Sequence, residues 1–589
     1  MLRTALLIVA LSVASPAAAD GGTLRASFRI AETSFDPAFA SDAASDSVIS
    51  CIIEPLLSYD YLARPVKLAP RTAEALPVVS DGGKTSTLKL KPGVFFTPDP
   101  AFGGKPRELV AADYVYSFKR HLDPASKSPW AWMIENRIAG AADAQAAAVK
   151  AGKFDYGAKI AGLEAIDKHT LRIRLTEADY RFPYVLALPN FGAVAREVVE
   201  KYGLDVGAHP VGTGPFMLGD YKRSSRIVLV RNPGYRPETY VPTGPVPAEL
   251  QPVAAAMKGK RLPQLDRIEI SVIEEGQSQW LAFLNGELDL IETFPQDFVD
   301  ELLVDGKLRP ALAAKGIRHV INQRPNTWWI YFNMEDPVVG GYTPDKIALR
   351  RAVGMGFDNT TYLRVVLKGR ALPATGIIPP GVEGHVAKPA FDAQRYDPAA
   401  SRALLDRFGY KDRDGDGFRE TPDGKPLKLE YWSTPTSQTR QFDELLQRNM
   451  TAIGLRIEFR KDRLPELRKM ARLGKIPMRA DGWNADYPDG ENFMQLLYGK
   501  NVGQENQARF QLAGFDRLYE DARRLPDGPP RNALFAQMTE LALTYAPWRM
   551  TFNRIEDQVL HPQVRDYAPH PILSQVWPFL RIDGAPAKR

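Results

Sequence analysis

The sequence predicts an α/β protein built from two or three lobes, and three observations carry that expectation. Units of helix, glycine and strand recur along the chain: Gln279–Gly286 runs into Leu288–Ile291, residues 437–453 and Gly454 into Leu455–Arg460, and Arg531–Tyr545 into Trp548–Phe552. Apolar spacing of a helix that gives way to the two-residue alternation of a strand indicates layered helices and sheets. The length of 589 residues exceeds what one hydrophobic core usefully holds. No internal repeat, low-complexity tract or long free linker divides the chain, so lobes joined by crossing connections fit best.

The elements follow in order. Thr23–Ile30 alternates as a strand and Phe35-Asp36-Pro37 forces a turn. Leu88–Leu90 and Val94–Phe96 read as two strands around the Pro92-Gly93 turn, and Val110–Arg120 has helical spacing with Val115 and Phe118 on one face. Residues 126–132 form a loop carrying Trp130 and Trp132, residues 141–152 an alanine-rich helix stopped by Gly152, and Leu171–Leu175 a strand. Ile227–Val230 and Ile268–Val272 are strands, with a proline-rich surface connection from Pro233 to Pro263 between them. Trp328–Asn333 is an aromatic strand, and Thr343-Pro344 opens a helix through Leu349 and Val353.

The first residues stand apart. Arg3, the apolar run Leu6–Val13 and Ala17-Ala18-Ala19 before Asp20 have the order of a secretory signal peptide over residues 1–19, too short to span a bilayer. The mature chain is therefore expected to be exported and soluble. Cys51 is the single cysteine, so no disulfide forms within the chain, and it reads as a small buried hydrophobe. The formal charge of +6 falls to about +5 without Arg3, and its dispersal among acids lacks the basic, aromatic-interleaved stripe of a nucleic-acid binder.

Most chemical motifs are missing. Val211-Gly212-Thr213-Gly214-Pro215-Phe216 is glycine-rich but lacks the Lys-Ser/Thr ending of a phosphate loop. The seven histidines are scattered without metal-site spacing, and no Gly-x-Ser-x-Gly elbow occurs. The one metal-like pattern is Asp412-Arg413-Asp414-Gly415-Asp416-Gly417, continuing to Asp423. It puts carboxylates at the first, third, fifth and twelfth positions of a calcium loop; the alternative is an Asp/Gly-rich turn before the strand Leu427–Glu430. A calcium there would be structural, and no other cofactor is expected. The stretch Trp483-Asn484-Ala485-Asp486-Tyr487-Pro488-Asp489 sets a carboxylate between two aromatic rings, ahead of an apolar run. Such a carboxylate either finds a partner inside the protein or awaits a cation from outside. The plain alternative is a turn in which Asp489 caps the next helix.

Taken with Phe35-Asp36-Pro37, Leu90–Phe96, Ala112–Ser117, Gly212–Phe216, Arg231-Asn232-Pro233-Gly234-Tyr235 and Leu284–Asp289, the chain resembles the large solute-binding proteins of bacterial ABC importers that carry peptides, nickel complexes and haem. The resemblance runs over nearly the whole mature chain. It implies a two-lobed periplasmic binding protein with mixed β-sheets, hinge crossovers near Gln323 and Phe552, and an extra inserted α/β domain. Lobe I would comprise residues 20–62, 208–323 and 553–589, the inserted domain 63–207 and lobe II 324–552. It further implies a monomer that captures peptides and delivers them to an inner-membrane ABC permease, without catalysis. Asp486 takes the place of the aspartate that pairs with a peptide's α-ammonium, flanked by Trp483 and Tyr487. Trp130 takes the place of an aromatic that the inserted domain offers to the cleft, Asn326 and Trp329 border the hinge on the cleft side, and the strand Ser27–Ser34, with Glu32 and Thr33, supplies backbone partners. Arg479 is the nearest base for a ligand carboxylate, although its spacing to Trp483 departs by one residue from the family pattern. The insertion Pro98–Arg107 is longer than in the simplest members. The same transport role with a haem, opine-like or sugar ligand, and a secreted hydrolase, are the alternatives.

Overall fold

The computed structural model describes residues 22–388 and 395–584. The signal-peptide reading of residues 1–19 lies outside them. No helix among the described residues is long and apolar enough to cross a membrane.

Four principal sheets organise the chain. The first has the order Thr23–Phe28, Arg267–Val272, Arg226–Arg231, Phe216–Lys222, its first pair parallel and the others antiparallel. Close to it lie three strands, Leu290–Ile291, Glu556–Leu560 and Arg318–Asn322. Residues 78–174 form an antiparallel sheet, Val78–Ser80, Thr85–Lys89, Thr170–Arg174, Leu163–Ala165, packed against the helix Ala111–Leu122. The largest sheet has six strands in the order Ala371–Pro373, Trp548–Arg554, Asn326–Phe332, Met478–Asn484, Lys428–Ser433, Arg456–Lys461. The chain enters it across residues 323–325 and leaves at Ile555, so two strand-to-strand crossings tie it to the three-stranded sheet.

Asn326–Phe332 shows why sequence alternation predicts this arrangement. Successive side chains of a strand point to opposite faces. Ile330 and Phe332 enter a core with the helices Pro344–Gly356 and Ser437–Ala452. Trp329 and Tyr331 enter the opposite core, which runs without a break from Leu88, Phe118 and Val185 to Phe493, Phe515 and Phe535. The strand is covered on both faces, as its continuous apolar character requires.

Several expectations change. The strand read from Ser27 to Ser34 stops at Phe28, because the backbone N–H groups of Thr33 and Ser34 turn away to Ser45 Oγ at 3.0 and 3.3 Å. Val94–Phe96 makes only a single bridge, Phe95 to Glu108, rather than a strand. The Pro233–Pro263 connection folds locally, with the helix Gln251–Met257 and the paired strands Glu238–Thr239 and Arg261–Leu262. The Gly212–Phe216 stretch owes its glycines to close approach: a Cβ on Gly212 would meet Ile52 O at 2.0 Å, and one on Gly214 the carbonyls of Cys51 and Ile52 at 2.6 Å. Cys51 is buried, and burial pushes its thiol up to about 12.

The continuous core is crossed by a lattice of buried ions. Asp489, 1 % exposed, accepts two parallel bonds from Arg531 at 2.6 and 2.7 Å and a third from Arg181 Nε at 3.1 Å. Glu491 pairs with Arg137 at 3.1 Å and accepts the hydroxyls of Tyr487 and Tyr519, while Asp179 meets both Arg137 and Arg523 at 3.3 Å. Burial opposes the charge on Glu491, but Arg137 and Arg523 outweigh it and hold the carboxyl at about 2. Removing one partner of such a pair strands the other charge in the interior. Arg531→Met should therefore cost about 3–5 kcal/mol in urea unfolding, whereas Glu200→Gln, which breaks the exposed pair with Arg196, should cost about 0.5 kcal/mol or less. Because the folded Glu491 carboxyl sits below its ordinary value, its contribution is complete at neutral pH and is lost as pH falls from about 4.5 towards 2. The Arg137→Met variant should show a shallower acid limb over that window.

Candidate functional site

The strand Met478–Asn484 delivers the site segment. Met478 and Ala480 face the helix-covered core, so Arg479, Asp481 and Trp483 face the other side, beside Trp329 and Tyr331. The strand ends at Asn484, and residues 485–490 fold back into the short helix Glu491–Met494. Asn492, fully buried at the start of that helix, fixes the turn: its Oδ1 accepts the Asp486 N–H and Trp483 Nε1, both at 3.0 Å, and its Nδ2 donates to Asp486 Oδ2 at 2.9 Å. One amide thus orients both the ring and the carboxylate.

Asp486 has no Lys, Arg or His within ion-pair distance among the described residues. Burial raises its carboxyl to about 7, the Asn492 bond opposes this, and Glu505 and Glu491 add repulsion. Glu491, five residues on, is shifted the opposite way because protein guanidinium groups surround it. Two carboxylates of one turn thus differ in whether the protein supplies the cation. Asp489, beside them, accepts the Glu491 N–H at 2.8 Å and also centres the ion lattice.

The other expected residues divide in two. Tyr487 is buried, bonded to Glu491 and stacked on Tyr184 at 5.7 Å, and Tyr184 stacks in turn on Tyr59 at 6.4 Å. Trp130 is half-buried and donates Nε1 to Ala40 O at 2.7 Å, just ahead of the helix Ala43–Ile52. Trp329 lies against Trp548 at 3.9 Å. Asn326 and Glu32 are engaged elsewhere. The Asn326 side chain bonds Arg324 O, Arg554 O and the Arg554 N–H, clamping the chain beside the crossing, and Glu32 accepts Tyr221 OH and the Ser224 N–H. Thr33 is exposed and donates its hydroxyl to Asp42. Arg479 stands on the Trp483 face, but it is buried and paired with Asp481 at 3.3 Å.

The calcium-like loop is rearranged relative to expectation. Carboxylate oxygens of Asp412, Asp414 and Glu420 lie within 4.8 Å of one another. Asp416 instead pairs with Arg456 and Asp423 with Lys425. Asp412 also accepts the N–H groups of Gly415 and Gly417, so the loop holds its own shape as a turn.

Sequence reasoning missed Asn492, which orients Asp486, and Tyr184 and Tyr59, whose rings stack in series on Tyr487. Only Asn492 had a local cue, six residues from Asp486; the others come from segments more than 290 positions away.

Because the carboxyl of folded Asp486 is raised, the folded state holds a proton that the unfolded chain has lost between about pH 4 and 7. Its contribution to stability therefore falls as pH rises through that window. Urea unfolding of wild type and Asp486→Asn should show the variant gaining relative stability from pH 5 to pH 8.

The family model "Bacterial extracellular solute-binding proteins, family 5 Middle" matches residues 67–505. Di/tripeptide-binding protein 2 of Pseudomonas aeruginosa is 26 % identical over 597 residues, covering 99 % of both chains. Heme-binding protein A of Haemophilus influenzae is 26 % identical over 536 residues, covering 88 % of this chain and 84 % of the relative. Among solved structures, the periplasmic binding protein DppA of Helicobacter pylori in complex with the peptide STSA superposes with a TM-score of 0.74 at 20 % identity, covering 96 % of this chain and 98 % of that one. The fold is thus that of the two-lobed periplasmic binding proteins, and the chain belongs to family 5 of the bacterial extracellular solute-binding proteins.

Proposed function

We propose that this protein is the periplasmic capture component of an ABC importer and that its ligand is a peptide held by its α-ammonium on Asp486. The observation that carries this reading is the unmatched carboxylate. Asp486 is recessed, oriented by Asn492 and without a protein cation, while its neighbours Asp489 and Glu491 are fully paired. A recessed carboxylate is stabilised by a cation from outside, and an α-ammonium is a feature every peptide with a free amino terminus shares. Trp483, oriented by the same Asn492, offers aromatic surface beside it, and hydrated pockets beyond would tolerate many side chains.

Relatives are named for haem and for di- and tripeptides. Haem carries no ammonium, so the unpaired Asp486 favours the peptide over the haem alternative. Arg479, satisfied by Asp481, would meet a ligand carboxylate only by sharing that partner. In this reading lobe I comprises residues 20–62, 208–323 and 553–589, the inserted domain 63–207 and lobe II 324–552, with the crossings near Gln323 and Phe552 as hinges. The protein acts as a monomer, binds without catalysis and hands its ligand to a membrane permease.

Calorimetry on free and N-acetylated tripeptides tests the anchor. Free peptides should bind at micromolar affinity or better, about 8 kcal/mol. N-acetylation or Asp486→Ala should weaken binding by about a hundredfold or more, the scale of removing one partner from a recessed charge pair. Equal binding of acetylated and free peptides by the wild type would refute the anchor. Peptides recovered intact by mass spectrometry after incubation would exclude the hydrolase alternative.

A further inference from the structure

Residues 63–207 meet their two neighbours in different ways. Toward residues 20–62 and 208–323 the join is made by the backbone. The Leu57 N–H donates to Leu186 O at 3.0 Å, Ala193 N–H to Glu54 O at 3.3 Å, Thr97 N–H to Gly212 O at 2.9 Å and Phe35 N–H to Gly207 O at 2.9 Å. Toward residues 324–552, no strand pairing and no backbone–backbone hydrogen bond crosses among the described residues. The polar contacts that do cross all involve a side chain. Arg181 donates Nε to Asp489 at 3.1 Å and Nη2 to Leu525 O at 2.8 Å, and it meets Asp527 at 3.0 Å. Arg137 meets Glu491 at 3.1 Å and Asp179 meets Arg523 at 3.3 Å, while Glu177 and Arg524 close the exposed rim at 3.2 Å.

This seam is buried, yet it is charged. The side chains of Arg137, Arg181, Asp179, Asp489 and Glu491 are 8 % exposed or less. A permanent core is served as well or better by apolar groups of the same volume. A seam that parts must instead avoid leaving a large apolar patch in water. Faces that carry guanidinium and carboxylate groups exchange each other for water when they separate. Apolar groups meet across it as well, with Tyr184 stacked on Tyr487 at 5.7 Å. The seam also starts at the anchor: Asp489 and Glu491 lie three and five positions after Asp486, and Asn492, next to Glu491, donates to the Asp486 carboxylate at 2.9 Å.

We infer that Arg137 and Arg181 are positioning residues that latch the cleft shut. Their bonds to Glu491 and Asp489 hold residues 63–207 against residues 324–552, and they grip the same turn that presents Asp486. Closure and ligand anchoring are thus set by one turn, and the latch acts on how long a ligand stays. The inference rests on the reading of the crossings near Gln323 and Phe552 as hinges.

Small-angle scattering on the ligand-free protein tests the latch apart from any ligand. The wild type should have the radius of gyration of this structure. Arg181→Met should enlarge it while keeping a cooperative unfolding transition, and Arg181→Lys, which keeps the charge, should restore it. Equal radii for the wild type and a folded Arg181→Met overturn the inference. With tri-alanine as the probe, stopped-flow mixing should show Arg181→Met releasing it roughly tenfold faster at an unchanged association rate. If Arg181→Met loses its fold, a second variant decides. Glu177→Cys with Arg524→Cys sits at the exposed rim. Joined there by a short bifunctional maleimide, the protein should stop exchanging tri-alanine, while the unjoined variant exchanges it like the wild type. Free exchange in the joined protein overturns the latch and leaves the ammonium anchor standing. If tri-alanine does not bind the wild type, the peptide reading falls and the scattering result decides the latch.

Discussion

The bidentate pair between Asp489 and Arg531, extended to Arg181 in the segment that follows the strand Thr170–Arg174, is the interaction on which the rest of the architecture depends. It lies inside an unbroken core shared by residues 56–211 and by the helices that follow Asp489. Charges taken out of water are stabilising only when each is fully met. Here the matching is close: Asp489, Glu491 and Asp179 are interleaved with Arg531, Arg181, Arg137 and Arg523. This lattice also fixes the turn at 485–490, because its two ends, the strand at 484 and the helix at 491, are held by neighbouring contacts.

Against that background, the state of Asp486 is informative. The protein supplies a guanidinium to almost every buried carboxylate nearby, even where several must converge from distant segments. Asp486 receives only an amide donor, from Asn492. An amide orients a carboxylate without neutralising it. Glu491 and Asp486, five residues apart, are displaced in opposite directions because protein guanidinium groups surround only Glu491.

Much of the fold was legible because periodicity reports burial directly. The helix–glycine–strand units at 276–291, 437–461 and 529–554 and the aromatic strand at 326–332 appear where alternation and spacing put them. Misreadings arose where side-chain bonding ended a strand early: the strand that the family resemblance carried from Ser27 to Ser34 stops at Phe28, and Ser45 and Tyr221 hold Glu32–Ser34 in a loop. The site was legible only in part. Asp486 stood out for its aromatic flanks, but Asn326 and Glu32 look equally suitable in sequence, and their structural duties depend on Arg554 and Ser224 far along the chain.

The sequence by itself determined the α/β layering, the family pattern and the presence of a carboxylate in a Trp–Tyr turn, since each of these follows from spacing within a few residues. Only the tertiary structure decided which carboxylates are paired. Asp486, Asp489 and Glu491 are near neighbours in sequence and alike in chemistry, but the guanidinium groups of Arg137, Arg181 and Arg531 come from positions dozens to hundreds of residues away. Long-range convergence of charge, rather than local pattern, sets which of the three meets a guanidinium within the protein and which meets only an amide.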